Sequence, residues 1–486
     1  MSHKNNSPLI ISGLLILIVL AFGIFGKKSE SDSIATQPLV DVDKKTSSVA
    51  MSHFKQTKTS AKNLILLIGD GMGYNHVTAG SYYAQGRKKA QVYQNFPARF
   101  GMSTYMAVDD YDPATAWGSF DAVNSGATDS AAAATAMATG EKTYRYGVGV
   151  DCQRNPLANV IEQVELKGKA TGVVTSVQFS HATPAAFVAH NITRRNYEEM
   201  AREMILNSTT DVIMGGGHPL HGHSGEFLER PKTFQFVGGE KLWNDLQLGV
   251  IGNDADGDGV NDPWTLIESR QAFQNLMQGT VPNRVIGVAR VAQTLQQKRQ
   301  LQGDVGYGAE PQNASATAYS TPLTETVPTL EEMTKGALNV LDNNPDGFFM
   351  MVEGGAIDWA SHANQSDRVI EEQVDFDNAV TAVVDWVERN SSWDETLVIV
   401  TADHETGYLT GPGSDPTWEA VMNNGKGRVP GMEWHSVNHT NSLVPLYAKG
   451  PSSWSFAEHV VGHDSERGAY IDNTALYPIM LQAIQD

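Results

Sequence analysis

Cysteine is almost missing: Cys152 is the only one in 486 residues. A single thiol excludes an intrachain disulfide, a CxxC site and any cysteine-rich zinc knuckle. A chain this long has enough interior to fold without such staples. Any metal must therefore be taken by histidine and carboxylate. Positive charge is scarce as well. Lys and Arg number 35 against 55 Asp and Glu, a formal net charge of −20. That field repels nucleic acid and anionic membranes, and no basic stripe stands ready to follow a phosphate backbone. Charged residues make up 19% of the chain, less than the usual figure of about 25%. The 41% of apolar residues excludes disorder throughout, and the 45 glycines and 20 prolines point to many tight turns. No internal repeat with a period of about 20 to 50 residues is present.

Long hydrophobic runs are equally rare. Leu9 to Gly26 is one, eighteen uncharged residues between Lys4 and Lys27-Lys28. As a helix it would be about 27 Å long, close to the thickness of a bilayer core. Leu9 to Leu20 followed by Ala21-Phe22-Gly23 also fits a cleaved signal peptide. Residues 1–26 are thus a signal peptide or an N-terminal membrane anchor, and both readings put the rest of the chain outside the cytoplasm, in the periplasm or tethered to the membrane. Residues 27–60, polar and without a sustained period, read as a linker.

From Lys62 onward short apolar runs end in Gly- or Asp-bearing loops and are followed by amphipathic stretches. Asn63 to Ile68, Ala170 to Val177, Asp211 to Met214, Phe348 to Val352, Thr396 to Val400 and Leu443 to Tyr447 are such runs. They predict buried strands of a mostly parallel sheet. Helical patterns are clearest at Thr329 to Leu341 and Ile370 to Glu388. The alternation argues for an α/β fold in which a central sheet is sandwiched between helices. Between about 216 and 325 the pattern weakens, and this stretch reads as an insertion in a domain spanning 61–486.

In open α/β sheets ligands bind beyond the carboxyl ends of the strands. The residues that follow the apolar runs are Asp70, then His181 and Thr183, then Glu353, Asp358 and His362, then Asp403 and His404. Histidine and carboxylate suit zinc where thiolate is missing, and carboxylate with hydroxyl suits magnesium. Each has a plainer reading. Asp70 between glycines could be a turn residue, and Asp358 with His362 a surface pair at i, i+4. Four strand ends carrying the same residue types are harder to explain that way. Thr128-Asp129-Ser130 precedes the alanine-rich run 131–138, so Ser130 would sit at a helix N-terminus, where an anion is favoured. Asp129 or Ser130 could equally serve only as the N-cap. Arg194-Arg195 offers a guanidinium fork for phosphate, or simply a solvated pair.

The segments IGDGMG (68–73), TDSAAAATAMATGEKTY (128–144), ATPAAFVAH (182–190), VEGGAIDWASHAN (352–364) and VTADHETG (400–407) resemble alkaline phosphatase, in the right order and over most of 61–215 and 325–486. The resemblance implies hydrolysis of small phosphate monoesters through a phosphoserine at Ser130. It further implies a first zinc on Asp358, His362 and His439, and a second zinc on Asp70, Asp403 and His404. It assigns magnesium to Asp70, Thr183 and Glu353, and phosphate to Arg194. His435 lies four residues from His439 and competes with it; the HTNSLVP context favours His439. His181 and Trp359 stand where the best-known bacterial branch has Asp and Lys, so both are expected beside the substrate, and zinc could replace magnesium at the third site. A homodimer is expected from the same resemblance. The Asp-rich loop Asp254, Asp256, Asp258, Asp262 is similar to an EF-hand calcium loop, but Thr265 stands where the bidentate Glu belongs. It is a calcium site or an acidic solvated turn. Two other functions compete: a phosphodiesterase or sulfatase of the same superfamily, and an inactive membrane-tethered calcium-binding surface protein.

Overall fold

Asn63–Gly69 (β1) is apolar after its first residue and buried along its whole length, the signature of a strand covered on both faces. The computed structural model describes residues 60–255, 257–300 and 317–484. The apolar run 9–26 and the linker 27–60, except its last residue, lie outside them.

Ten further strands join β1 in one sheet: Ala98–Ser103 (β2), Ala170–Gln178 (β3), Val212–Gly216 (β4), Thr265–Ile267 (β5), Val285–Val288 (β6), Phe348–Gly354 (β7), Thr396–Thr401 (β8), Val444–Lys449 (β9), Val460–Asp464 (β10) and Gly468–Asp472 (β11). Their order is β10-β11-β2-β9-β8-β1-β7-β3-β4-β6-β5. The seven strands from β8 to β5 are all parallel. β9 runs antiparallel to both β8 and β2. The sheet is large, mixed and mostly parallel, as the alternation of runs predicts. All six expected strands are present. The stretch between 216 and 325 carries β5 and β6, which extend the parallel sheet at its far edge.

Helices flank the sheet in two groups. Tyr74–Gln85 (α1), Leu330–Leu341 (α5) and the long Ser366–Asn390 (α7) pack together and reach β1, β3 and β7. Ser130–Thr139 (α2), Ala182–Val188 (α3) and Leu476–Ala483 (α8) form the other group, with α3 resting on β3 and β7. Between α3 and α5 lies Tyr197–Leu206 (α4), and Ala356–His362 (α6) follows β7 directly. Every residue of α2 is buried. Apart from Ser130, Thr135 and Thr139 its residues are apolar, as burial on all sides favours, and its run of alanines lets it approach α3 closely. One continuous core joins the sheet to both helix layers.

Candidate metal centre and active site

β8, β1, β7 and β3 are consecutive neighbours at the middle of the sheet, and the residues that follow their carboxyl ends converge on one centre. Asp70 follows β1. The next residue, Gly71, turns the chain at φ +75, and a Cβ there would lie 2.9 Å from the Cα of Asp358. Conformation and space both demand glycine, which explains the Gly-Asp-Gly pattern.

Asp358 and His362 stand one turn apart on α6, with His362 Nε2 3.4 Å from Asp358 Oδ1. His439 reaches the same carboxylate because a short antiparallel ladder pairs Thr406 with His439 and Glu405 with Thr440. Its Nε2 is 3.4 Å from Asp358 Oδ1. The competing His435 is held away: its Nε2 is 2.7 Å from the Thr410 hydroxyl, and its ring packs on Phe120.

A second group surrounds His404. Its Nε2 lies 3.2 Å from Asp403 Oδ2 and 3.4 Å from Asp70 Oδ1. Adjacent residues usually point apart, but the Asp403 Oδ1 accepts the Gly71 and His404 amides at 3.1 and 3.0 Å, which folds the loop round its own carboxylate. The Thr406 hydroxyl ties the two groups together, 2.6 Å from Asp358 Oδ1 and 3.2 Å from His404 Nδ1. In a third group, Asp70, His181 and Glu353 present ligand atoms within 4.8 Å of one another. Thr183 stands beside Glu353, and the other Glu353 oxygen accepts the Thr175 hydroxyl from the neighbouring strand.

The donor set fits divalent cations. Both Asp70 oxygens, Asp403 Oδ2, Glu353 Oε1, Thr183 Oγ1 and His181 Nδ1 are buried with no hydrogen-bond partner. Burial without a partner is costly for such atoms. Their titration points the same way. Burial first, then the charges of Asp403, Asp358 and Glu353, drive Asp70 well above the usual carboxylate range. Burial pushes Asp403 and Glu353 to about 7. Burial also opposes ionisation of Asp358, yet the imidazoles of His362 and His439 outweigh it and hold that carboxyl well below its ordinary value. Four buried carboxylates with one guanidinium nearby lack positive charge, and metal ions would supply it.

Ser130 is the first residue of α2. Asp129, not Ser130, is the N-cap, accepting the Ala131 and Ala132 amides at 3.3 and 3.4 Å. The serine hydroxyl is thereby left 3.2 Å from His404 Nε2. Asp129 also accepts Arg194 Nη1 at 3.0 Å and the Tyr146 amide at 2.9 Å. The other guanidinium nitrogen of Arg194 is 3.1 Å from His181 Nε2. Burial, then Arg194, lowers His181 to about 3, so its ring is neutral. Trp359 completes this wall, its ring centroid 5.8 Å from that of His181. The cleft above them has a volume of about 1800 Å³ and is open to solvent.

All the residues expected at the centre therefore meet in one place. The Asp-rich loop is separate. There Gly259 N donates to Asp254, Val260 N to Asp258 and Ala255 N to Asp262; Asp256 lies outside the described residues. Among the described residues the loop forms no convergent carboxylate group. Three residues escaped sequence reading. Asp129 as the holder of Arg194 and Thr175 as the partner of Glu353 depend on strand and loop placement. Thr406 carried a signal, standing two residues after His404 within the same motif.

Comparison with known proteins gives the family. The alkaline phosphatase family model matches residues 61–432. An alkaline phosphatase of Escherichia fergusonii is 32% identical over 436 residues, covering 83% of each chain, and that of Escherichia coli K12 is 31% identical over 430 residues, again 83% of each. Among solved structures, a cold-active alkaline phosphatase from Shewanella shares the fold with a TM-score of 0.61 at 23% identity, over 87% of this chain and 99% of that one. A variant of the TAB5 alkaline phosphatase with magnesium bound in its M3 site superposes with a TM-score of 0.58 at 24% identity, over 88% and 99%. Fold and site together define a metal-binding hydrolase. The chain belongs to the alkaline phosphatase family and is a phosphomonoesterase.

Proposed function

We propose that this enzyme cleaves phosphate monoesters through a phosphoserine at Ser130, with Asp358, His362 and His439 holding one zinc and Asp70, Asp403 and His404 a second. Asp70, Thr183 and Glu353, with His181 beside them, would hold magnesium or a third zinc. The observation that carries this reading is the Ser130 hydroxyl 3.2 Å from His404 Nε2 at the start of a buried helix. When bound, the cations neutralise phosphoryl oxygens and lower the pKa of a nearby hydroxyl.

The remaining work falls to the chain itself. The N-terminus of α2 favours the deprotonated serine oxygen. That oxygen attacks phosphorus, the P–O bond to the alcohol breaks, and the alcohol leaves with a proton. Water then attacks the phosphoserine, releasing inorganic phosphate and restoring the hydroxyl. Arg194, aimed by Asp129, matches two non-bridging oxygens with its planar fork. His181 and Trp359 bound the phosphate-binding side of the cleft. The uncatalysed reaction is among the slowest known, so every such contact must be in place before the chemistry begins.

The domain reading remains part of this proposal: 1–26 a signal or anchor, 27–60 a linker, 61–486 one catalytic domain with an insertion at about 216–325. Export rests on the run 9–26, since among the described residues no helix is long and apolar enough to cross a membrane. A homodimer is drawn from the family resemblance, and calcium at the Asp-rich loop from its spacing alone. The test of the metal assignment is removal and return. After chelation, hydrolysis of 4-nitrophenyl phosphate near pH 9 should vanish, and should come back only when zinc is returned, with magnesium or further zinc filling the third site. Full activity in the stripped enzyme would overturn the assignment.

A further inference from the structure

The cleft contains a cation that the metal centre does not use. Lys298 comes from the stretch between β6 and α5, and its Nζ lies 4.8 Å from the centroid of the Trp359 ring. Trp359 directly follows Asp358 and stands next to His181, which in turn touches Arg194. Lys298 and Trp359 both line the cleft that holds Ser130.

The backbone carrying Lys298 is pinned on each side. Before it, Leu295 N donates to Ser176 O at 2.9 Å, and Gln297 Nε2 donates to Gln365 Oε1 at 3.0 Å. Behind it, Arg299 is 1% exposed and makes an ion pair of 2.6 Å with the buried Glu371. Lys298 N itself donates to the Thr294 hydroxyl at 2.9 Å. A lysine on a mobile surface loop would lose much rotamer freedom on engaging a ligand. Here the anchors and the aromatic face restrict the side chain beforehand, which lowers that cost.

Resting on the phosphomonoesterase reading, we infer that Lys298 selects substrates: its ammonium receives a second anionic group, carboxylate or phosphate, carried by the alcohol part of the monoester. The phosphoryl group being transferred goes to Ser130 and Arg194. The contacts run from Arg194 to His181, then Trp359, then the Lys298 ammonium, which assigns Lys298 to the part of the substrate beyond the phosphoryl group. In a chain of net charge −20, a fixed cation at this distance matters because local charge outweighs net charge within a Debye length of about 8–10 Å.

The experiment compares kcat/KM for 4-carboxyphenyl phosphate and phenyl phosphate in the full-length, metal-loaded enzyme and in Lys298→Gln and Lys298→Arg. The ratio of the two constants should fall about tenfold in Lys298→Gln. The change should sit in KM for the carboxylated ester, and Lys298→Arg should restore most of it. A ratio that does not move overturns the inference, including the case where both substrates lose equally because Lys298 merely supports Trp359. A wild-type enzyme that turns over neither ester would instead strike the phosphomonoesterase reading itself.

Discussion

His362 and His439 bring their Nε2 atoms to 3.0 Å from one another. Each ring is oriented from behind by a backbone carbonyl: His362 Nδ1 lies 2.6 Å from Val437 O, and His439 Nδ1 lies 2.8 Å from Thr128 O. The carbonyl behind each Nδ1 fixes its ring so that Nε2 faces Asp358 and the other imidazole, which is the usual way a protein orients imidazoles toward a metal.

His439→Ala should therefore remove one equivalent of zinc and lower kcat by at least about a hundredfold. His435→Ala, whose imidazole is engaged with Thr410, should keep its full metal content. Metal analysis of the two purified variants separates them, and equal zinc loss in both would contradict the assignment.

Thr406 offers a finer test, since it touches ligands of two different groups without being a ligand itself. Thr406→Val keeps the shape and removes the hydroxyl. Metal affinity should drop by about 10- to 100-fold, measured by chelator competition, and excess zinc should recover most of the activity. Affinity equal to that of the wild type would show that the hydroxyl does not orient the ligands.

These two cases also mark how far the sequence could be read. The strands and the polar residues after them were legible because a buried parallel strand is an unbroken apolar run, as in Leu64 to Ile68. β2 and β11 were not, since ARFGMS and GAYID lack such a run. β5 and β6 are only three and four residues long and are interrupted by polar segments. At the site, residue types after strand ends suggested metal chemistry, and the family resemblance gave His439. What only the fold supplies is pairing: Thr175 opposite Glu353 across two strands, Thr406 opposite His439 in a short ladder, and Asp129 beneath Arg194.

Away from the site, Asp377 is buried and accepts the Tyr93 hydroxyl at 2.8 Å and Gln373 Nε2 at 3.0 Å on one oxygen. Its other oxygen has no partner. Burial raises this carboxyl to about 7. The folded state then holds a proton that the unfolded state releases near the ordinary value of about 3.9. The group's contribution to stability is fully present below the unfolded pKa and is lost as pH rises from there through about 7. Asp377→Asn keeps both accepted hydrogen bonds and should abolish that loss. The variant should melt a few degrees above the wild type at alkaline pH, with the gap closing in acid. Calorimetry across this range checks it, and a variant less stable at alkaline pH would contradict it.

The most direct test of the account is to catch the phosphorylated enzyme. Metal-loaded protein is mixed with a phosphate monoester, quenched in acid during turnover, digested and analysed by mass spectrometry. The account predicts one phosphoryl group on the peptide bearing Ser130, and neither label nor substantial turnover in Ser130→Ala. Unimpaired turnover by Ser130→Ala, or a phosphoryl group found on another residue, would contradict it.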